Sequence, residues 1–377
     1  MRKILIATTT RADWGLLSPV ARALRDRTGC SVRVMATNMH LDAHRGHTLD
    51  AVIADGFNPV IAPMSVNFST PAQTAAAMGE CLASAAEAIE KESPDLIVLL
   101  GDRFETLAIA SAAALMRVPI VHLHGGELTE GAFDDSFRHA ITKLAALHLT
   151  STEPYRRRVI QLGEAPERVF NVGAIGVAPR PALSRSELEE SLGWQFGESA
   201  LLVTLHPETL GEISAARLAE ETFSALSGFP GSKILITFPN NDPGADDIIC
   251  AIKEFAAANP ARVKVVPSLG AARYFSALRC VRAVVGNSSS GIIEVPSAGI
   301  PTVNIGKRQA RRIAAESVIN CPAERGEIAE AIRRALSMDC SGVSNPYERP
   351  DTLERIVSLI AETPLELLRR PKSFHDL

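Results

Sequence analysis

Apolar and polar positions alternate along the chain in blocks: short β-branched or Leu-rich runs are separated by longer Ala-rich stretches. That is the pattern of parallel strands joined by crossover helices. Residues 3–8, 32–37, 95–100, 119–123 and 147–150 read as strands of a first sheet, with helices over 72–91 and 104–116. Pro94 and Pro119 each stand at a strand's start, where a missing N–H is tolerated. Periodicity lapses after Asn171-Val172-Gly173-Ala174-Ile175-Gly176, through Ala178-Pro179-Arg180-Pro181, a Pro-rich crossing that reads as a hinge. A second set of strands follows at 200–205, 233–238, 263–266, 282–285 and 301–305, with helices over about 213–227, 244–259, 270–279 and 290–299. The expectation is an α/β protein of two Rossmann-like, doubly wound domains, 1–176 and 177–350. The amphipathic helices of 351–377 are expected to pack back on the first. No sequence repeat links the halves, although the architecture repeats.

A chain of 377 residues is long for one core and comfortable for two. It is 46% apolar and 22% charged, and its longest apolar runs are too short to span a bilayer, so no membrane is implied. Met1-Arg2-Lys3 imitates the basic start of a signal peptide, but the apolar run breaks at Thr8-Thr9-Thr10-Arg11-Ala12-Asp13 and reads as a first strand. Lys plus Arg number 39 against 43 Asp plus Glu, a balance of −4 that recommends no nucleic-acid partner. The six cysteines, at 30, 81, 250, 280, 321 and 340, form no CxxC pair. They read as reduced thiols of a cytoplasmic protein rather than disulfides or metal ligands.

Ligands of open α/β sheets bind beyond the carboxyl ends of the strands, so the polar residues that follow each apolar run carry the chemistry. The densest such stretch is 119–143, PIVHLHGGELTEGAFDDSFRHAITK, with His122, His124, Glu127, Glu130, Asp134 and Asp135 crowded around a Gly125-Gly126 pair. Ionisable groups at the mouth of a buried strand cost stability unless something uses them. Helix capping accounts for Asp134 and Asp135 alone, and leaves the Gly-Gly-Glu turn unexplained. Other runs end in Arg11-Ala12-Asp13, Gly101-Asp102-Arg103-Phe104-Glu105, His206-Pro207-Glu208 and Pro239-Asn240-Asn241-Asp242.

The clearest anion signal is Gly286-Asn287-Ser288-Ser289-Ser290-Gly291, where a helix start exposes backbone N–H groups and hydroxyls to a phosphate. An ordinary Ser cap explains one of those serines and not the others. Glu294, a turn later, offers a carboxylate able to accept both hydroxyls of a ribose. No GxGxxG follows the first strand and no Walker lysine is present, so a nicotinamide or flavin dinucleotide cofactor and a P-loop both lose support. Acidic groups in the first domain and an anion site in the second suggest a nucleotide-sugar held in an interdomain cleft. His40 could reach the sugar. His44 and His47 read as surface residues, and His139 as structural.

Taken together, the Arg11-Ala12-Asp13 turn, GDRFE at 101–105, HLHGGE at 122–127, DDSFRHAITK at 134–143, STEPYRRRVIQLGE at 151–164, HPET at 206–209, GNSSSGIIEVPSAGIPTVNIGKRQ at 286–309 and Ser344-Asn345-Pro346-Tyr347 resemble the hydrolysing UDP-N-acetylglucosamine 2-epimerases of bacterial sialic-acid synthesis. The likeness covers nearly the whole chain. It implies a GT-B fold with an interdomain active-site cleft, a homodimer, and conversion of the UDP-sugar and water to UDP and N-acetylmannosamine. It also implies that Arg11, Arg103, His206, Asn240, Ser289, Ser290, Glu294 and Arg308 hold UDP, with Ser288 added by the reading above. Asp102, Glu127 and Asp134 fall in the catalytic carboxylate motifs. The related non-hydrolysing epimerases carry HVEAG where this chain has HLHGG, so His124 stands in place of a glutamate.

The expected reaction begins with departure of UDP through an oxocarbenium-like transition state, which Asp102 would stabilise. Glu127 or His124 would remove the C2 proton, and Asp134 would aid hydration of the glycal. Arg11, His206, Arg308 and the amides of 288–290 would receive the leaving diphosphate. No metal or cofactor is required. A UDP-2,4-diacetamido-2,4,6-trideoxy sugar is the alternative substrate, and a GT-B glycosyltransferase or a UDP-sugar sensor the more remote readings.

Overall fold

The computed structural model describes residues 1–42, 48–66, 68, 70–129, 133–178, 182–208, 213–240 and 242–377. His44, His47, Glu130, Asn241, Thr209 and the Pro179-Arg180-Pro181 part of the expected hinge lie outside the described residues. The chain forms two compact units: one of 1–127, 134–178 and 347–377, the other of 128–133 and 179–346.

The first unit contains β1 (Arg2–Thr8), α1 (Arg11–Arg25), β2 (Cys30–Ala36), α2 (Leu49–Ala54), β3 (Val60–Ile61), α3 (Pro71–Glu92), β4 (Leu96–Leu100), α4 (Phe104–Leu115), β5 (Ile120–Leu123), α5 (Asp134–Leu144), β6 (Leu147–Thr150), α6 (Glu153–Gln161) and β7 (Val169–Asn171). Its strands are all parallel, in the order β3-β2-β1-β4-β5-β6-β7. The central strands β4 and β5 are buried throughout, and apolar apart from His122, because helices cover both faces, leaving no solvated side to alternate toward. Strand order reverses between β1 and β4, so the turns that follow these two strands diverge and leave a crevice for a ligand.

Helix starts are written locally. The Thr10 hydroxyl accepts the Asp13 N–H and the Asp13 carboxylate returns to the cap, while Thr70, Gln73 and Pro71 do the same for α3. Asp13 also takes the Thr9 hydroxyl at 2.6 Å, so the acid of the Arg11-Ala12-Asp13 turn is consumed in shaping it.

The second unit holds α7 (Arg185–Leu192), β8 (Leu201–Thr204), α8 (Ala215–Ser227), β9 (Ile234–Thr237), α9 (Ala245–Ala258), β10 (Val263–Val266), α10 (Gly270–Leu278), β11 (Ala283–Gly286), α11 (Ser290–Ile293), β12 (Thr302–Ile305), β13 (Val318–Cys321) and α12 (Arg325–Ser337). Its parallel sheet runs β10-β9-β8-β11-β12-β13, with the reversal between β8 and β11. The helix expected over 290–299 is one α-turn followed by a 3-10 turn at Val295–Ala298: Pro296 has no N–H to continue the ladder.

The chain then returns to the first unit as α13 (Thr352–Glu362) and α14 (Leu365–Arg369). Ile356, Val357, Ile360 and Leu368 join the core cluster of Trp14, Leu17 and Val20, and the Arg2 guanidinium donates to the Thr363 carbonyl at 2.7 Å. All six cysteines are free thiols, and no described helix is long and apolar enough to cross a membrane.

Candidate active site

In the first unit the turns after β4 and β5 meet around one buried arginine. Arg138, on α5 and 2% exposed, donates to the His124 carbonyl at 2.9 Å, pairs with the Asp102 carboxylate, and lies 3.8 Å from Glu127 Oε2. Glu127, 1% exposed, accepts the Ser151 hydroxyl at 2.7 Å on Oε1, and His124 Nδ1 stands 2.9 Å from the same oxygen. The Ile175 backbone N–H points at His124 Nε2 from 3.4 Å. A backbone N–H can only donate, so Nε2 accepts and the imidazole's proton sits on Nδ1, facing Glu127. Two carboxylates, Asp102 and Glu127, are thus carried on one guanidinium, whose planar fork suits that task.

The backbone of this turn is unusual. His124 has φ of 64°, in the left-handed region that a β-carbon disfavours. Gly126 follows with φ of 78°, and a side chain there would meet the Tyr155 carbonyl at 2.6 Å. The Gly-Gly pair is therefore the means by which Glu127 is turned beneath α6. His122 supports the arrangement without joining it: Nε2 donates to the Gly101 carbonyl at 2.8 Å, and burial pushes its pKa down to about 3, so the ring is neutral.

Asp134 opens α5, and Asp135 lies 3.6 Å from His139 on the same helix face. Arg11 occupies the first turn of α1 and is half-buried. Arg103 leans on Glu105, with Nε 3.2 Å from Oε2 and one terminal nitrogen 3.3 Å from Oε1. His40 is 4% exposed and held between hydroxyls, with Thr8 Oγ1 2.9 Å from Nε2 and Thr48 Oγ1 3.0 Å from Nδ1. Burial lowers its pKa, and both ring nitrogens serve the turns after β1 and β2.

In the second unit the polar ends of β8, β11 and β12 are laced together. The Asn287 side chain accepts the His206 N–H at 2.7 Å and donates to the His206 carbonyl at 2.8 Å, imitating a strand neighbour. The Asn287 backbone carbonyl in turn accepts from Gln309 Nε2 at 2.9 Å and from the Arg308 guanidinium at 3.3 Å. Glu208 Oε1 takes the Lys307 and Arg308 N–H groups at 2.8 and 3.0 Å. Asn240 approaches through its N–H, 3.5 Å from His206 Nδ1. His206, Asn240 and Arg308 are therefore set by one network.

Ser288 and Ser289 precede, and Ser290 opens, a helix of a single turn, too short for a large macrodipole, so any anion held there relies on amides and hydroxyls. Ser288 Oγ lies 3.0 Å from Ser290 Oγ, and the Ser289 side chain makes no capping bond. Glu294 is 8% exposed, and the buried Tyr274 hydroxyl sits against it and Ser290; burial first, then the Glu294 charge, raise the phenol's pKa. Arg138, Ser151, Tyr274 and Gln309 carry no individual signal in the sequence, whereas Glu208 and Asn287 stand among the polar residues that follow apolar runs.

Residues 22–361 match the model of the UDP-N-acetylglucosamine 2-epimerase family. The chain belongs to that family. It is 35% identical to polysialic acid biosynthesis protein P7 of Escherichia coli, over 100% of this chain and 98% of that one. It is 33% identical to a UDP-N,N'-diacetylbacillosamine 2-epimerase (hydrolyzing) of Legionella pneumophila, over 97% of each. Among solved structures it is similar to S. aureus MnaA in its UDP co-structure, with a TM-score of 0.78 at 18% identity across 100% of both chains. That likeness, with the seven- and six-stranded parallel sheets, shows a GT-B-like two-domain epimerase fold.

Proposed function

We propose that this epimerase is of the hydrolysing kind and converts UDP-N-acetylglucosamine and water to UDP and N-acetylmannosamine for sialic-acid synthesis. The observation that carries the reading is His124 on Glu127, within the HLHGG turn, beside the Arg138–Asp102 pair. The C1–O bond breaks first, and both electrons leave with UDP. Asp102, a carboxylate with its charge already balanced by Arg138, stabilises the oxocarbenium character that develops at C1.

His124 has its Nε2 lone pair facing the Ile175 N–H and its Nδ1 proton turned to Glu127, so Glu127 is the group that takes the C2 proton. His124 orients that carboxylate. Removal of the proton leaves the glycal; Asp134 assists water onto C1 while a proton is returned to the opposite face of C2. Arg11, Arg103, His206, Asn240, Ser288, Ser289, Ser290, Glu294 and Arg308 hold the UDP moiety.

The names of the Legionella relative and of a Campylobacter jejuni one support a second reading, in which the substrate is a UDP-2,4-diacetamido-2,4,6-trideoxy sugar. A site that pairs a substrate hydroxyl rejects an analogue lacking it by large factors, so the two readings separate cleanly. The test is to incubate the protein with each UDP-sugar and water alone, and to identify products by NMR. Release of UDP with free N-acetylmannosamine supports the first reading and release of the diacetamido sugar the second. Turnover that requires an acceptor sugar would overturn both.

A further inference from the structure

The mechanism leaves one wholly buried carboxylate unused. Glu105 stands in the first turn of α4, where an acidic residue ordinarily faces solvent and complements the helix dipole, yet it is 0% exposed. Burying a carboxylate is costly unless it is paired and hydrogen-bonded, so its partners identify what it is for. One is Arg103, which approaches both carboxylate oxygens side-on. Another is Asn38, whose Nδ2 donates to Oε1.

Asn38 is itself fully buried and left-handed, with φ of 48°. Asn tolerates that region better than most residues, and here its side chain is what the conformation delivers to Glu105. The backbone on either side is tied to the β1 turn, through Thr37 N–H to the Thr8 carbonyl at 3.2 Å and Met39 N–H to the Thr9 carbonyl at 3.1 Å. The turn after β2 and the turn after β4 therefore meet on one carboxylate.

We propose that Glu105 is a positioning residue for the nucleotide. It fixes the plane and direction of the Arg103 guanidinium and, through Asn38, sets that arginine against the turns after β1 and β2. The inference rests on the functional reading above for the role of Arg103 toward UDP. A guanidinium gripped along one edge is preorganised, so less freedom is lost when it meets a phosphate or sugar hydroxyl.

The test is a double-mutant cycle on UDP affinity by calorimetry, with KM and kcat for UDP-sugar consumption alongside. Glu105→Gln and Arg103→Ala should each raise the UDP Kd and the KM about tenfold while kcat changes by less than about threefold, and the double variant should be no worse than Arg103→Ala. Multiplying effects, or an unchanged Kd in Glu105→Gln, would overturn the proposal. Should Glu105→Gln not fold, Asn38→Gly serves: it keeps the left-handed backbone and removes the amide hold. It should raise Kd several-fold in the wild-type background and not in Arg103→Ala; no change in the former overturns the proposal. Wild-type protein that binds UDP but turns over no UDP-sugar defeats the functional reading alone, because the cycle on Kd still reports on Glu105.

Discussion

His124 holds its Nδ1 2.9 Å from Glu127 Oε1 while bent into the left-handed region at φ of 64°. A β-carbon there costs roughly 1–2 kcal/mol, so the strain is kept for the orientation it gives the carboxylate. His124→Asn tolerates the backbone and loses the reach. It should leave the melting temperature within a few degrees of wild type and lower kcat about 100-fold, as expected when a general base is misdirected. Steady-state kinetics beside a thermal melt reads both; unchanged kcat would remove His124 from the account.

Arg138 carries two carboxylates at once. Its truncation to Ala leaves the buried Glu127 and the partly accessible Asp102 without their shared cation, a loss of up to about 3–5 kcal/mol for a broken buried pair. Arg138→Ala should show that loss in urea denaturation, and Asp102→Asn in the same background should recover part of it, because the uncompensated charge is then reduced.

The end of β11 tolerates no side chain. Gly286 has φ of 143°, and a β-carbon there would collide with the Thr204 carbonyl of the neighbouring strand. At Gly299 φ is 68° and nothing lies within 4 Å of the added carbon. Gly286→Ala should lower stability by more than about 2 kcal/mol and abolish UDP binding, whereas Gly299→Ala should cost only about 1 kcal/mol. Differential scanning calorimetry with and without UDP distinguishes them.

Glu164 fastens the C-terminal segment. It accepts Lys143 Nζ at 2.6 Å, Lys372 Nζ at 2.7 Å and His148 Nε2 at 3.0 Å. Burial opposes its ionisation, but the His148 hydrogen bond and the two ammonium groups outweigh it and hold the pKa at about 2, below the ordinary 4.5. A lowered carboxylate pKa contributes stability that is complete above about 4.5 and is lost as pH falls toward about 2. Glu164→Gln should therefore be less stable than wild type at pH 7 by a few kcal/mol, and the gap should narrow across that acidic window. Urea titrations at stepped pH check the sign.

Much of the architecture was legible because parallel strands covered on both faces read as unbroken apolar runs, as at 96–100 and 201–204. The strands that escaped notice lack that signature: Val60–Ile61 is a two-residue edge, Val169–Asn171 is a three-residue edge strand with two half-buried positions, and Val318–Cys321 alternates between buried and accessible positions. Polar residues after apolar runs marked His124 and Glu127. Arg138 did not announce itself, since an arginine on an amphipathic helix ordinarily faces water; only the fold shows it buried between two acids. Asn287 was hidden in a run read for phosphate, and its task of pinning His206 depends on the β8–β11 pairing.

Elimination of UDP followed by hydration is tested by proton and phosphorus NMR of UDP-N-acetylglucosamine turned over in deuterated water. The expected products are free UDP and a free 2-acetamido sugar of manno configuration carrying deuterium at C2. Protium retained at C2, or an intact UDP-sugar epimerised without release of UDP, would contradict it.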